Sequence, residues 1–121
     1  GLPVKVPFAS SKGSIIYVKD LVTILLTVLR APKLLHRVYD VVTEPRGKAE
    51  AVAVVKRLLP NAKIDIDMHG AFGEERPPER MTERAWQDPL LTRDFGFREQ
   101  YSFEAAITDY IRMAQADRFQ W

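Results

Sequence analysis

Residues 15–31, IIYVKDLVTILLTVLRA, decide how this chain is read. Ile15-Ile16-Tyr17-Val18 has the β-branched and aromatic content of a strand. Asp20 then offers an acceptor for the free amides of a helix start, and no breaker follows until Pro32. The stretch predicts a strand over 15–18 and a helix over 21–31, with Asp20 as its cap. Within residues 21–29 only Thr23 and Thr27 are polar, so the helix offers no face to water and requires cover all round.

Outward from this joint, residues 2–14 read as a loop with Pro3 and Pro7 that feeds the strand. The β-branched run RVYDVVT predicts a strand at 37–43, closed by the turn residues Glu44-Pro45-Arg46-Gly47. Ala51, Val52, Val55, Leu58 and Leu59 recur at three- and four-residue spacing, which predicts a helix over 48–59 ended by Pro60-Asn61, then a short strand at 63–68. Residues 69–87 form a long polar loop without period. Pro89 opens a short helix that closes at Gly96, and Ser102 caps a last helix over 103–116 with Phe103, Ala106, Ile107, Tyr110 and Ile111 on one stripe.

The 121 residues suit one domain with one modest core. A net charge of +2 is too small to neutralise many phosphates, so nucleic-acid binding gains no support. With no cysteine, disulfides, thiolate metal sites and cysteine nucleophiles are excluded. The apolar run 21–29 is far shorter than the roughly 20 residues that cross a bilayer, and no leader pattern opens the chain. The expectation is a cytoplasmic protein with no membrane partner, its N-terminus at Gly1 processed, cut from a longer polypeptide or left by cloning.

Three separated segments carry a family resemblance. Ile16-Tyr17-Val18-Lys19-Asp20-Leu21 is one, Val38-Tyr39-Asp40-Val41-Val42 with the helix 48–59 and Pro60-Asn61-Ala62-Lys63-Ile64 is the second, and Trp86-Gln87-Asp88, Phe95-Gly96-Phe97-Arg98 and Tyr101-Ser102-Phe103-Glu104-Ala105-Ala106-Ile107 make the third. In this order the chain resembles the C-terminal, substrate-binding part of extended short-chain dehydrogenases/reductases (SDRs), the NAD-dependent epimerase/dehydratase family. The resemblance implies an α/β, Rossmann-type parent enzyme, of which residues 1–121 are a single substrate-binding region with mixed short strands and three main helices. It implies NAD or NADP in the parent, an isomerase or oxidoreductase reaction, and a small-molecule substrate such as a nucleotide sugar.

Two parts of the family pattern are missing. The sole GxxG, Gly70-Ala71-Phe72-Gly73, runs into Glu74-Glu75 and two prolines, whereas a pyrophosphate turn must open a helix. Four residues after Tyr17, Tyr39, Tyr101 and Tyr110 stand Leu21, Thr43, Ala105 and Ala114, so the family's catalytic Tyr-x-x-x-Lys pair is absent. The dinucleotide-binding region therefore lies outside these residues, no catalytic or metal residue is assigned, and the chain alone is expected to bind no cofactor.

By the same resemblance, Arg76, or Arg80 in its place, would hold a substrate phosphate, a task that suits the planar guanidinium fork. Phe8 falls where relatives cradle the nucleotide base and offers a ring to stack on uracil or thymine. Solvated arginines and a plain core aromatic are the ordinary alternatives. Lys12, Gly13 and Ser14 stand where the family often has an arginine, a departure that counts against a nucleotide sugar. His36 and His69 read as loop histidines, and Arg46 and Lys48 as solvated charge beside a possible anion nest. The bare helix 21–31 calls for cover, by the N-terminal Rossmann part of a parent or a second copy, the ordinary alternative being a central helix wrapped by the other two. The competing reading is a stand-alone, non-enzymatic interaction module that docks through that helix.

Overall fold

The computed structural model describes residues 2–68 and 89–116. Its elements are β1 (Val4–Val6), β2 (Lys12–Gly13), α1 (Val18–Arg30), β3 (Arg46–Gly47), α2 (Lys48–Leu58), β4 (Ile64–Ile66), α3 (Leu90–Phe95) and α4 (Phe103–Gln115). Among the described residues this is a small mixed α/β assembly with four helices and a few short strands. The helices fall close to where periodicity and capping residues put them. Ser102 Oγ accepts from the Ala105 amide at 3.2 Å, and Gly96 closes α3 at φ 65°, a left-handed conformation that glycine adopts without Cβ strain.

The strand expectations need correcting. Residues 15–17 are not a strand, because α1 begins at Val18. Residues 37–43 are neither strand nor helix, and Val38 is 68% exposed. Side chains explain why these two β-rich runs form no ladder. The short antiparallel pair β2/β3 matches Lys12 with Gly47 and Gly13 with Arg46. One step further along, the buried Thr43 takes over the backbone groups. Its Oγ1 accepts from the Ile15 amide at 3.1 Å and donates to the Ile15 carbonyl at 2.9 Å, while its own amide donates to Ser14 Oγ at 2.8 Å. Hydroxyls replace the backbone partners that a continuing ladder needs.

The loop expected at 2–14 contains β1, which pairs in parallel with β4, Val4 opposite Ile64 and Val6 opposite Ile66. Lone proline-flanked VKV gives too short a signal to read without its partner. Buried apolar side chains are few among the described residues: Ala9, Ile24, Val52, Leu91 and Met113. α2 packs on α4, and the Arg57–Glu104 ion pair links them at the surface.

The cap assigned to Asp20 is also overturned. It lies inside α1, fully buried, and its carboxylate accepts from the backbone amides of Gln100 at 3.0 Å and Tyr101 at 3.3 Å. It ties α1 to the segment before α4 instead of starting its own helix. The described residues of the chain do not cover α1 on every side. Ile24 is buried, while Leu25, Leu26 and Leu29 are 54%, 43% and 79% exposed. Leu34, Leu35 and Val38 continue the apolar surface at 48%, 65% and 68%. No described helix is long and apolar enough to cross a membrane.

Candidate functional site

The parallel pair β1/β4 brings Phe8 and Lys48 to one end. Where parallel strands end, their last carbonyls and the loops that follow form the usual ligand crevice of an α/β fold. Here β1 delivers Pro7-Phe8-Ala9 and β4 delivers Asp67-Met68, and the two exits are stitched by the Ala9 amide on the Asp67 carbonyl at 3.0 Å. Ser10 Oγ donates to the Met68 carbonyl at 2.7 Å. α2 begins at the same edge, since the Ala49 amide donates to the Ala9 carbonyl at 3.2 Å.

Phe8 is the residue with the strained backbone at this edge. Its φ is 54°, the one positive value at a non-glycine residue among those described. A left-handed aromatic residue costs about 1–2 kcal/mol and persists where surroundings or function hold it. The turn is closed by the Ser11 amide on the Phe8 carbonyl at 3.0 Å. Phe8 is half-buried, so it is not a plain core aromatic, and Lys48 Nζ stands 5.9 Å from its ring centre while donating to the Pro7 carbonyl at 3.2 Å. The cation and the ring thus share one edge, an arrangement that can receive a flat base and a nearby negative charge. Lys48 is thereby held by the Pro7 carbonyl and the ring and is not merely solvated charge. Arg76 and Arg80, expected to supply phosphate contacts, lie outside the described residues, as does His69.

Arg46 belongs elsewhere. It pairs with Glu44 at 2.8 Å and with Glu50 at 3.4 Å, and its guanidinium carbon sits 5.5 Å from the Phe103 ring centre. The possible anion nest before α2 is filled by the protein itself, because Glu50 Oε1 accepts from the Gly47 amide at 3.2 Å. A carboxylate at that helix start repels a pyrophosphate, and a single glycine before it gives none of the close backbone approach a dinucleotide needs. The described residues therefore do not fit the pyrophosphate of NAD or NADP.

Two polar clusters escaped the sequence reading. In the first, Asp109 of α4 accepts from Tyr17 Oη at 2.8 Å, from Lys19 Nζ at 2.5 Å and from Arg112 at 2.7 Å. The lysine and arginine hold its carboxyl far below the usual range, while burial and the Asp109 bond push the Tyr17 hydroxyl well above its ordinary value. A tyrosine used as a proton donor and acceptor needs the opposite shift, and these bonds fasten α1 to α4. In the second, Asp94 of α3 takes Tyr39 Oη at 2.8 Å and lies 2.8 Å from His36 Nδ1. These bonds lower the Asp94 carboxyl, and they pin the irregular segment 32–43 to α3. The clue in sequence was slight: Asp109 is an acid beside the apolar stripe of α4, and its partners Tyr17 and Lys19 are 90 or more residues away.

No family model and no curated protein matches the chain. Among solved structures it is similar in fold to L-threonine dehydrogenase from Phytophthora infestans, at 16% identity and a TM-score of 0.70 over 93% of this chain. It spans 37% of that enzyme's length, so the likeness is to a part of that enzyme's fold.

Proposed function

We propose that this chain is the substrate-side portion of an NAD(P)-dependent SDR-type enzyme, catalytically incomplete alone, in which the carboxyl end of β1/β4 receives the substrate. The observation that carries this reading is the meeting of Phe8, Lys48 and the exit toward residues 69–88 at one edge, in a fold similar to part of a dehydrogenase. Residues 1–121 act as one substrate-binding region, and the dinucleotide is held by another part of the polypeptide. The exposed leucines of α1 fit that arrangement, because several of them left in water forfeit ~1.5–3 kcal/mol for each that could be fully buried. The N-terminal Rossmann part of a parent, or a second copy, would cover them.

The substrate proposed is a nucleotide sugar. Phe8 stacks on the base, Lys48 draws in negative charge, and Arg76 or Arg80 grips the phosphate in bidentate fashion. A second reading is favoured by the fold likeness to L-threonine dehydrogenase: a small amino-acid substrate at the same edge, with an NAD(P)-linked oxidation as the reaction. Affinity of the chain for UDP separates them. Arg76→Ala or Arg80→Ala should weaken UDP binding by roughly 10- to 100-fold, the equivalent of a hydrogen bond to a charged group. If both single variants bind UDP as the parent chain does, the phosphate assignment is wrong. If UDP does not bind and L-threonine does, the second reading replaces the first.

A further inference from the structure

A cleft of about 670 Å³ opens between α2 and α4, within the size range of small-molecule sites and apart from Phe8 and Lys48. Val55 of α2 and Ile107 of α4 give it apolar walls, and Tyr17, Tyr101 and Phe103 add aromatic surface. Such a lining accepts an apolar or aromatic body. The charge of the ligand is set by the charged residues of the lining, Glu44, Arg46 and Glu99. Arg46 is already compensated twice, by Glu44 and by Glu50. Glu99 is different, because no hydrogen bond or ion pair among the described residues engages its carboxylate. Partial desolvation raises its pKa, Asp20 and Glu44 add to the effect, and Arg46 opposes it. The polar end of Tyr17 is spent on Asp109, leaving its ring rather than its hydroxyl to the cleft.

We propose that this cleft is a binding site for a small aromatic amine, with the ring between Val55 and Ile107 and the ammonium group at Glu99. The aromatic faces reinforce the choice, since ring quadrupoles attract cations and not anions. The site is independent of the nucleotide edge, so either can fail without the other.

Phenethylamine is the probe, titrated into the 121-residue chain with the amide and methyl resonances followed, and compared with 2-phenylethanol and phenylacetate. The expected result is saturable one-to-one binding of phenethylamine that shifts the Val55 and Ile107 methyl signals, with the alcohol about 10-fold weaker and the acid weaker still. Glu99→Gln should weaken the amine about 10-fold and leave the alcohol unchanged, and Val55→Trp should abolish both by filling the cleft. Glu99 is exposed, so its amide variant tests the charge without risk to the core. The proposal is overturned if phenylacetate binds as well as the amine, if Glu99→Gln binds it unchanged, if the shifts map elsewhere, or if 10 mM phenethylamine produces none.

Discussion

Asp20 accepts the backbone amide of Tyr101 at 3.3 Å from inside α1, 81 residues away in sequence, and the same carboxylate takes the Gln100 amide at 3.0 Å. This fully buried acid holds the approach to α4 in place. Asp20→Ala would leave two amides without their acceptor, and unfolding in urea should show a loss of about 2–4 kcal/mol. Asp20→Asn keeps one acceptor oxygen and should lose less. An alanine variant within about 0.5 kcal/mol of the parent would show that these bonds contribute little.

The Asp109 cluster sets the acid limb of stability. Its folded carboxyl lies below the ordinary 3.8, so the unfolded chain binds the proton more readily. The contribution is present above that value and is lost as pH falls toward the folded one. Tyr17 acts at the other end: its folded hydroxyl lies above the ordinary 10.0, so its contribution is whole below pH 10 and is lost as pH rises beyond it. Urea midpoints measured from pH 2 to 11 should flatten below pH 4 in Asp109→Asn and above pH 10 in Tyr17→Phe. Slopes identical to the parent's would contradict the assignment.

Much of this was legible in the chain. α2, α3 and α4 were marked by apolar spacing, by Ser102 and by Gly96, all local signals. The missed features are non-local. Ile15 and Val38 have strand propensity, yet Thr43 supplies side-chain partners to the first run and no strand edge meets the second among the described residues. β1 exists because β4 lies beside it, and Asp20 is a tie because Gln100 and Tyr101 arrive from the far end of the sequence. For the site, Phe8 was readable as a ring in the right stretch, but its left-handed backbone and its approach to Lys48 were not.

Phe8 should affect binding more than stability. Phe8→Gly relieves the strain of φ 54° while removing a half-buried ring, so stability should change by less than about 1 kcal/mol. UDP affinity should fall at least 10-fold if the ring stacks on the base, since base stacking on an aromatic contributes about 1–3 kcal/mol. Unchanged affinity in a folded variant would remove Phe8 from the site.

The apolar face of α1 predicts association. At tens of micromolar the chain should elute larger than 13.8 kDa, and Leu25→Lys with Leu29→Lys should return it to monomer size with its helix content intact. A monomeric parent chain would show that these leucines tolerate water.

The central claim, a substrate-side portion without its own dinucleotide cradle, is met most directly by calorimetric titration of the chain with UDP-glucose and, separately, with NAD and NADP at millimolar concentration. The account predicts saturable heat with the nucleotide sugar and none with either dinucleotide. Saturable NAD or NADP binding, or no response to UDP-glucose, would contradict it.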